Sequence, residues 1–331
     1  MERVPSEVLK KIFSFFDNGG LGIIMQVCLR WNDVAETVWR CDELEVHNAN
    51  DIKKLGFQRM KRLRKVFLKL DWVGTEKFQL LSTLNRLSTL GLWCVDVGNV
   101  STDALSDIIR KVKTLKVARS VLSNEQIVMI FETLQKKSER TKLYLAEQDL
   151  TIVPEESIAS AFNNQAILNI ADCALKVEQW LQIFALMKDQ SKVRSLSLSL
   201  CDISHIDPLV LARAFNFVKE LTLFESKFSK VQIAETMNLL AQGTKLEDLH
   251  MVRCADFSAV DSDLLAKAIN NLNGARLNLE LSNAQKEDII RQAGSETNLK
   301  FLCMSRKGID ERLVVRARIK IRVCSLYKYA D

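Results

Sequence analysis

Side chains capable of acid–base or nucleophilic chemistry are present in this sequence but do not cluster. The three histidines, His47, His205 and His250, lie far apart. Ser199, Asp202 and His205 come close in sequence, yet nothing around the serine makes the sharp strand-to-helix turn that poises a nucleophile. There is no Gly-rich phosphate loop, no Cys-x-x-Cys pair and no His-Glu-x-x-His, so nucleotide and zinc chemistry find no support. The sequence therefore predicts no catalytic, cofactor or metal site. The side chains left to explain are those suited to binding: aromatics and arginines scattered among regularly spaced leucines, and apolar residues in excess at the N-terminus.

Composition is that of a folded globular protein rather than a disordered one. In 331 residues, 27% are charged and 47% hydrophobic, which is ordinary globular usage. With only 3 prolines and 11 glycines, no flexible linker can be drawn. No window approaches the roughly eighteen apolar residues of a membrane span, and Met1-Glu2-Arg3-Val4-Pro5 lacks a secretory signal's apolar region. The expectation is a protein without membrane contact, in the cytoplasm and/or nucleus, whose 8 cysteines are free thiols in a reducing setting. The net charge of +6 is mild and points only weakly to an acidic partner.

The first forty residues carry the densest apolar pattern. A helix opens at Pro5, with Glu7 favourable against its N-terminal dipole, and places Val8, Leu9, Ile12, Phe13 and Phe16 on one face. Asp17-Asn18-Gly19-Gly20 stops it. A second apolar run begins at Leu21, and a third helix carries Val27, Trp31, Val34, Ala35 and Val38. So small a unit cannot bury all these side chains internally, so some should meet a partner. The pattern Val4-Pro5-x-Glu7, Ile12-Phe13, Leu21, Val27-Cys28-Leu29-Arg30-Trp31 and Trp39 resembles an F-box, over residues 1–41. Two departures are Val4, where that family usually has Leu, and Leu29, where a basic residue is commoner.

The remainder, residues 42–331, repeats. Leu-x-Leu recurs at Leu90, Leu143, Leu196, Leu221 and Leu277, with looser copies at Leu44, Leu68, Leu115, Leu168, Leu249 and Leu302. Five residues after the first Leu stands a small or polar residue, among them Ser120, Gln148, Cys173, Cys201, Ser226 and Cys254, and an apolar residue follows two further on. A helical pattern comes next, as in Val177, Trp180, Leu181 and Phe184. These units resemble leucine-rich repeats, about 11 of them. The expected fold is α/β: a three-helix F-box, then a curved, ribonuclease-inhibitor-like solenoid with a parallel sheet inside and helices outside. Cys173, Cys201 and Cys254 are expected to be turn-ladder residues rather than redox or metal groups.

Alternation along each strand sends the leucines into the core and the intervening side chains onto the inner, concave face. Trp72, Trp93, Arg119, Tyr144, Phe224, His250 and Arg253 are the expected substrate-binding residues, aromatics and arginine being the commonest hot-spot types. Mixed charge on that face favours a protein ligand over nucleic acid. At the other end, Arg316-Ala317-Arg318-Ile319-Lys320-Ile321-Arg322-Val323 reads as a capping strand with one cationic face.

Receptors that join an F-box to leucine-rich repeats are substrate-recognition subunits of Skp–cullin–F-box (SCF) ubiquitin ligases. The resemblance thus implies a Skp-type adaptor bound through Val4, Pro5, Ile12, Phe13, Leu21, Val27 and Trp31, a cullin reached through it, and an unknown protein substrate. The alternative is a leucine-rich-repeat binding or scaffold protein that works without a cullin.

Overall fold

The computed structural model describes residues 4–16, 24, 31, 34–35, 43–47, 63–69, 75–139, 141–187, 191–254, 257, 260–278, 281–293, 297–304, 309–310, 312–313 and 322–324. Two compact units are distinguished, Met1–Lys116 with Ser120–Ser123, and Val117–Arg119 with Asn124–Asp331.

The first unit opens with α1 (Ser6–Phe13), whose entry residue Pro5 accepts from the amides of Val8 and Leu9. Leu9 and Phe13 point into a small core with Ile24, Val34 and Ala35, against which Val4 and Trp31 pack. Strands β1 (Glu43–Val46), β2 (Lys65–Leu68) and β3 (Thr89–Trp93) follow in parallel, in chain order, with α2 (Thr75–Ser82) before β3 and α3 (Thr102–Lys111) after it. β4 (Thr114–Ala118) lies at the boundary of the units.

The second unit alternates helix and strand: α4 (Asn124–Gln135), β5 (Thr141–Ala146), α5 (Glu155–Asn163), β6 (Gln165–Ala171), α6 (Val177–Leu186), β7 (Ser195–Ser199), α7 (Pro208–Phe217), β8 (Glu220–Phe224), α8 (Lys230–Gln242), β9 (Asp248–Val252), α9 (Ser262–Asn270), β10 (Gly274–Asn278), α10 (Asn283–Gln292), β11 (Phe301–Met304) and β12 (Arg322–Cys324). From β5 to β12 each strand pairs in parallel with the next. The unit is α/β and solenoid-like, parallel strand alternating with helix.

Register corrects two repeat assignments. Leu44 pairs with Val66 and Leu68 with Leu92, so Leu68 is the second apolar residue of its repeat. Likewise Leu249 pairs with Ala275 and Leu277 with Met304, so the repeat begins at Ala275 and its outward-facing middle residue is Arg276. Of the basic segment, the described strand covers Arg322–Cys324, while residues 314–321 lie outside the described residues.

The seven consecutive strands from β3 to β9 end in the same turn. Cys94, Arg119, Glu147, Asp172, Leu200, Glu225 and Arg253 all have φ between 48 and 55°, a left-handed conformation that side chains avoid. The amide of this residue donates to the next strand at Glu147 (2.9 Å), Asp172 (2.9 Å), Leu200 (2.8 Å) and Glu225 (2.9 Å), so the sheet ladder gains one rung for the strain. The residue after it faces inward and satisfies backbone groups. Ser226 Oγ accepts from the Cys201 amide at 3.3 Å, and the Cys254 thiol donates to Leu223 and Val252 carbonyls at 2.9 and 2.8 Å. Cysteine, serine and glutamine therefore interchange there because each offers a short polar group.

A second stitch runs between helices and the preceding turns. Gln179, Gln232 and Gln285, spaced 53 residues apart, occupy the third position of α6, α8 and α10 and are at most 3% exposed. Each carboxamide oxygen accepts from the backbone amide that starts its helix, at 2.7–2.9 Å. Each Nε2 donates twice, for Gln232 to the Ile203 and Ile206 carbonyls at 2.8 and 2.7 Å. Gln126, 53 residues before Gln179, is buried as well. Gln232→Ala strands two buried carbonyls and is expected to cost about 3 kcal/mol in urea unfolding. Gln242→Ala, at an exposed hydrogen bond, should stay within about 0.5 kcal/mol of the parent.

Candidate functional site

Helix α1 carries two apolar stripes rather than one. Leu9 and Phe13, four residues apart, are 3 and 2% exposed, and the Phe13 ring meets Trp31 edge-on at 5.4 Å. Val8 and Ile12, also four apart, are 46 and 45% exposed, and Phe15 and Phe16 beyond them are exposed too. Glu7, Lys10 and Lys11 flank the outer stripe. Of the residues expected to meet an adaptor, Pro5 and Ile12 are at the surface, Val4 and Trp31 are partly buried, and Phe13 is core. Leu21 and Val27 lie outside the described residues.

On the inner face of the first unit, Trp93 is 38% exposed, with its ring 5.9 Å from Phe67. Lys69 lies 4.9 Å over the Trp93 ring and Lys116 lies 5.4 Å over Phe67. Phe67 alternates outward from the leucines yet is 7% exposed, because these neighbours cover it. Gly91 permits this: a Cβ there would stand 2.2 Å from Phe67 Cδ1. Trp72 lies outside the described residues.

In the second unit, Tyr144 and His250 are half-buried, while Phe224, Arg119 and Arg253 are exposed. Arg119 is held by Glu147 at 2.6 Å and Arg253 by Glu225 at 3.2 Å, each pair joining consecutive turns. His250 stands in the same register as Tyr144, Asn169, Ser197, Thr222 and Arg276. Burial, then the charge of Arg276, pushes its imidazole pKa down, favouring the neutral ring.

Around His250 lies a basin of about 370 Å³ lined by Glu220, Thr222, Asp248, Gly274, Arg276 and Phe301 among others. Glu220, Asp248 and Gly274 share one register across β8, β9 and β10. Burial raises the Asp248 carboxyl pKa, with Glu220 and Glu247 adding to it. Arg276 is drawn over the Phe301 ring at 5.2 Å. The sequence reading placed neither Glu220 nor Asp248 here, because both precede the Leu-x-Leu motif by one residue. It missed Arg276 because its repeat was counted two residues late.

Residues 1–42 match the F-box-like family model. The N-terminal segment is F-box-like. Its α1 therefore belongs to that motif, and the chain is similar in fold to a chain of the yeast Rad7 and Elc1 complex. The match has 14% identity and a TM-score of 0.53, covering 85% of this chain and 73% of that one. The leucine-rich repeat-containing protein LegL7 of Legionella pneumophila also aligns, with 13% identity, a TM-score of 0.47, and 86 and 100% coverage. No curated protein matches the chain significantly. Among the described residues no helix is long and apolar enough to cross a membrane, and no group of three or more His, Cys, Asp or Glu could hold a metal ion.

The cysteines of the turn ladder are chemically quiet. Burial pushes the Cys173 thiol up to about 11 and the Cys201 thiol up to about 12, and raises Cys254 in the same way. At pH 8 little of these thiols is thiolate. Timed alkylation read by peptide mass spectrometry should therefore label exposed Cys94 well before Cys173, Cys201 and Cys254. At Gly91, Gly91→Ala drives a methyl into the Phe67 ring and should cost about 1–3 kcal/mol in urea unfolding.

Proposed function

We propose that this protein is the substrate-recognition subunit of an SCF-type ubiquitin ligase, its residues 1–41 docking on a Skp-type adaptor and residues 42–331 holding a target protein. The observation that carries this reading is the outer stripe of α1. In this 8-residue helix Leu9 and Phe13 fill the core, and the described residues show no internal use for exposed Val8 and Ile12 or for exposed Phe15 and Phe16 just past its end. A row of exposed large apolar side chains in an F-box-like segment fits a surface that a partner covers. The matched yeast chain comes from a complex, which is consistent with a chain of this fold working beside a partner.

The work assigned to the chain needs no catalytic group. Holding a target beside a charged conjugating enzyme raises the effective concentration of its lysines, and proximity alone accelerates transfer. Trp93 on the first unit, and separately Arg119, Tyr144, Phe224, His250 and Arg253 on the second, are the side chains proposed to meet the target. Aromatic and arginine anchors dominate such interfaces.

Co-purification with a Skp-type adaptor and a cullin tests the proposal. Ile12→Ser combined with Phe16→Ser changes only exposed positions, so circular dichroism should be unchanged while both partners are lost. Phe13→Ala should instead lower stability by about 3–5 kcal/mol, since it empties the core of the segment. Capture of the adaptor without a cullin would favour the scaffold alternative, and capture of neither would end the receptor reading.

A further inference from the structure

Several carboxylates near the strands of the second unit are matched to a cation one repeat away. Glu147 meets Arg119 at 2.6 Å, Glu225 meets Arg253 at 3.2 Å, and Glu247 meets Lys219. Glu220 and Asp248 break this pattern. They are direct register partners, so two like charges stand on adjacent strands, and neither has an ion-pair partner among the described residues. The next strand offers Gly274 at the same level, where a Cβ would fall 2.3 Å from Asp248 Oδ1. The missing side chain leaves the carboxylate its place and opens the basin of about 370 Å³. Its one arginine, Arg276, is turned onto Phe301. Burial, then Glu220 and Glu247, raise the Asp248 pKa against the opposing charges of Arg276 and Lys300, so an arriving cation would add to the compensation those two begin.

The other end of β8 is apolar. Phe224 is 38% exposed, Leu200 beside it is 50% exposed, and the Leu200 amide donates to the Phe224 carbonyl at 2.8 Å. Leu200 holds the left-handed turn position, where Arg119, Glu147, Asp172, Glu225 and Arg253 are all charged. Half-buried Val252, register partner of Phe224, extends the patch. Glu220, Thr222 and Phe224 share one face of the strand, so basin and patch are four residues apart, about 13 Å.

We infer that the inner face of β8 and β9 is a two-point site for an extended segment of the target protein, taking a basic side chain in the Glu220 and Asp248 basin and a large apolar side chain on Phe224 and Leu200. The inference rests on the proposal that this face holds the target. It adds the target's chemistry: an Arg or Lys and a Leu- or Phe-sized residue four positions apart, which in an extended chain reproduces the same 13 Å or so. Charge complementarity selects the basic residue, and the buried apolar anchor supplies slow dissociation.

The full chain probed against an array of synthetic octapeptides tests this, each peptide carrying one Arg, Lys, Glu or Ala and one Leu, Phe or Ala at every separation. Peptides with a basic and an apolar residue four apart should be enriched about tenfold over their Glu counterparts. Glu220→Gln with Asp248→Asn should erase the preference for the basic residue and keep the apolar one, and Phe224→Ala should do the reverse. Equal binding of Arg and Glu peptides, a preference that survives the basin variant, or a best separation other than four would each overturn the inference. Adaptor capture is scored separately. Enrichment without adaptor binding leaves the two-point site standing while the ligase reading falls, and adaptor binding without enrichment does the opposite.

Discussion

Everything in the repeat region depends on backbone groups that a single repeat cannot satisfy by itself. Each strand needs a parallel neighbour for its ladder, and the turn that leaves it adds one more donor by taking a left-handed conformation costly to a side chain. The strain at Glu147, Asp172, Leu200 and Glu225 is offset by the bond each amide makes to the following strand. Behind that turn, Gln179, Gln232 and Gln285 use both N–H donors and the oxygen of the carboxamide to tie a helix start to the turn of the repeat before. A polar group this deep is tolerable only because nothing in it is left unpaired. Stability in such a chain is a sum over neighbours rather than the property of one central core.

That construction frees the outward-facing strand positions from structural duty. Several of their charges are balanced by a partner on the next repeat, which keeps the inner face orderly but contributes little energy, since exposed pairs are worth at most about 1 kcal/mol. Departures from the balance are therefore informative. Phe67 crosses the empty space at Gly91 beneath Lys116, and the carboxylates of Glu220 and Asp248 face each other beside the empty space at Gly274. In both places a glycine within a strand, ordinarily a weak residue there, makes room for a neighbour's side chain.

The α1 helix follows a different logic. Its inner pair, Leu9 and Phe13, meets the needs of a small core, and its outer pair, Val8 and Ile12, meets none that the described residues show. Apolar residues at consecutive positions on a helix necessarily diverge by 100° or so, so a continuous run such as Val8-Leu9 and Ile12-Phe13 yields two stripes. Read as one face, the run hides that division; in the folded unit, burial separates the stripe that builds from the stripe that remains available.

Much was determined by sequence alone. The Leu-x-Leu period, the small polar residue five positions on and the F-box-like spacing of Pro5, Glu7, Ile12 and Trp31 sufficed for the α/β repeat architecture and its N-terminal motif, because both are written in local patterns. The ladder role of Cys173, Cys201 and Cys254 was legible for the same reason. What only tertiary structure decided was phase and company. A slip of two residues preserves strand alternation, so Leu68 and Leu277 looked like repeat starts until pairing with Leu92 and Met304 placed them one step later. Glu220 and Asp248 are 28 residues apart, and nothing local to either announces that they will stand opposite one another beside a glycine. The sheet register brings them together, because a parallel ladder converts repeat length into lateral distance.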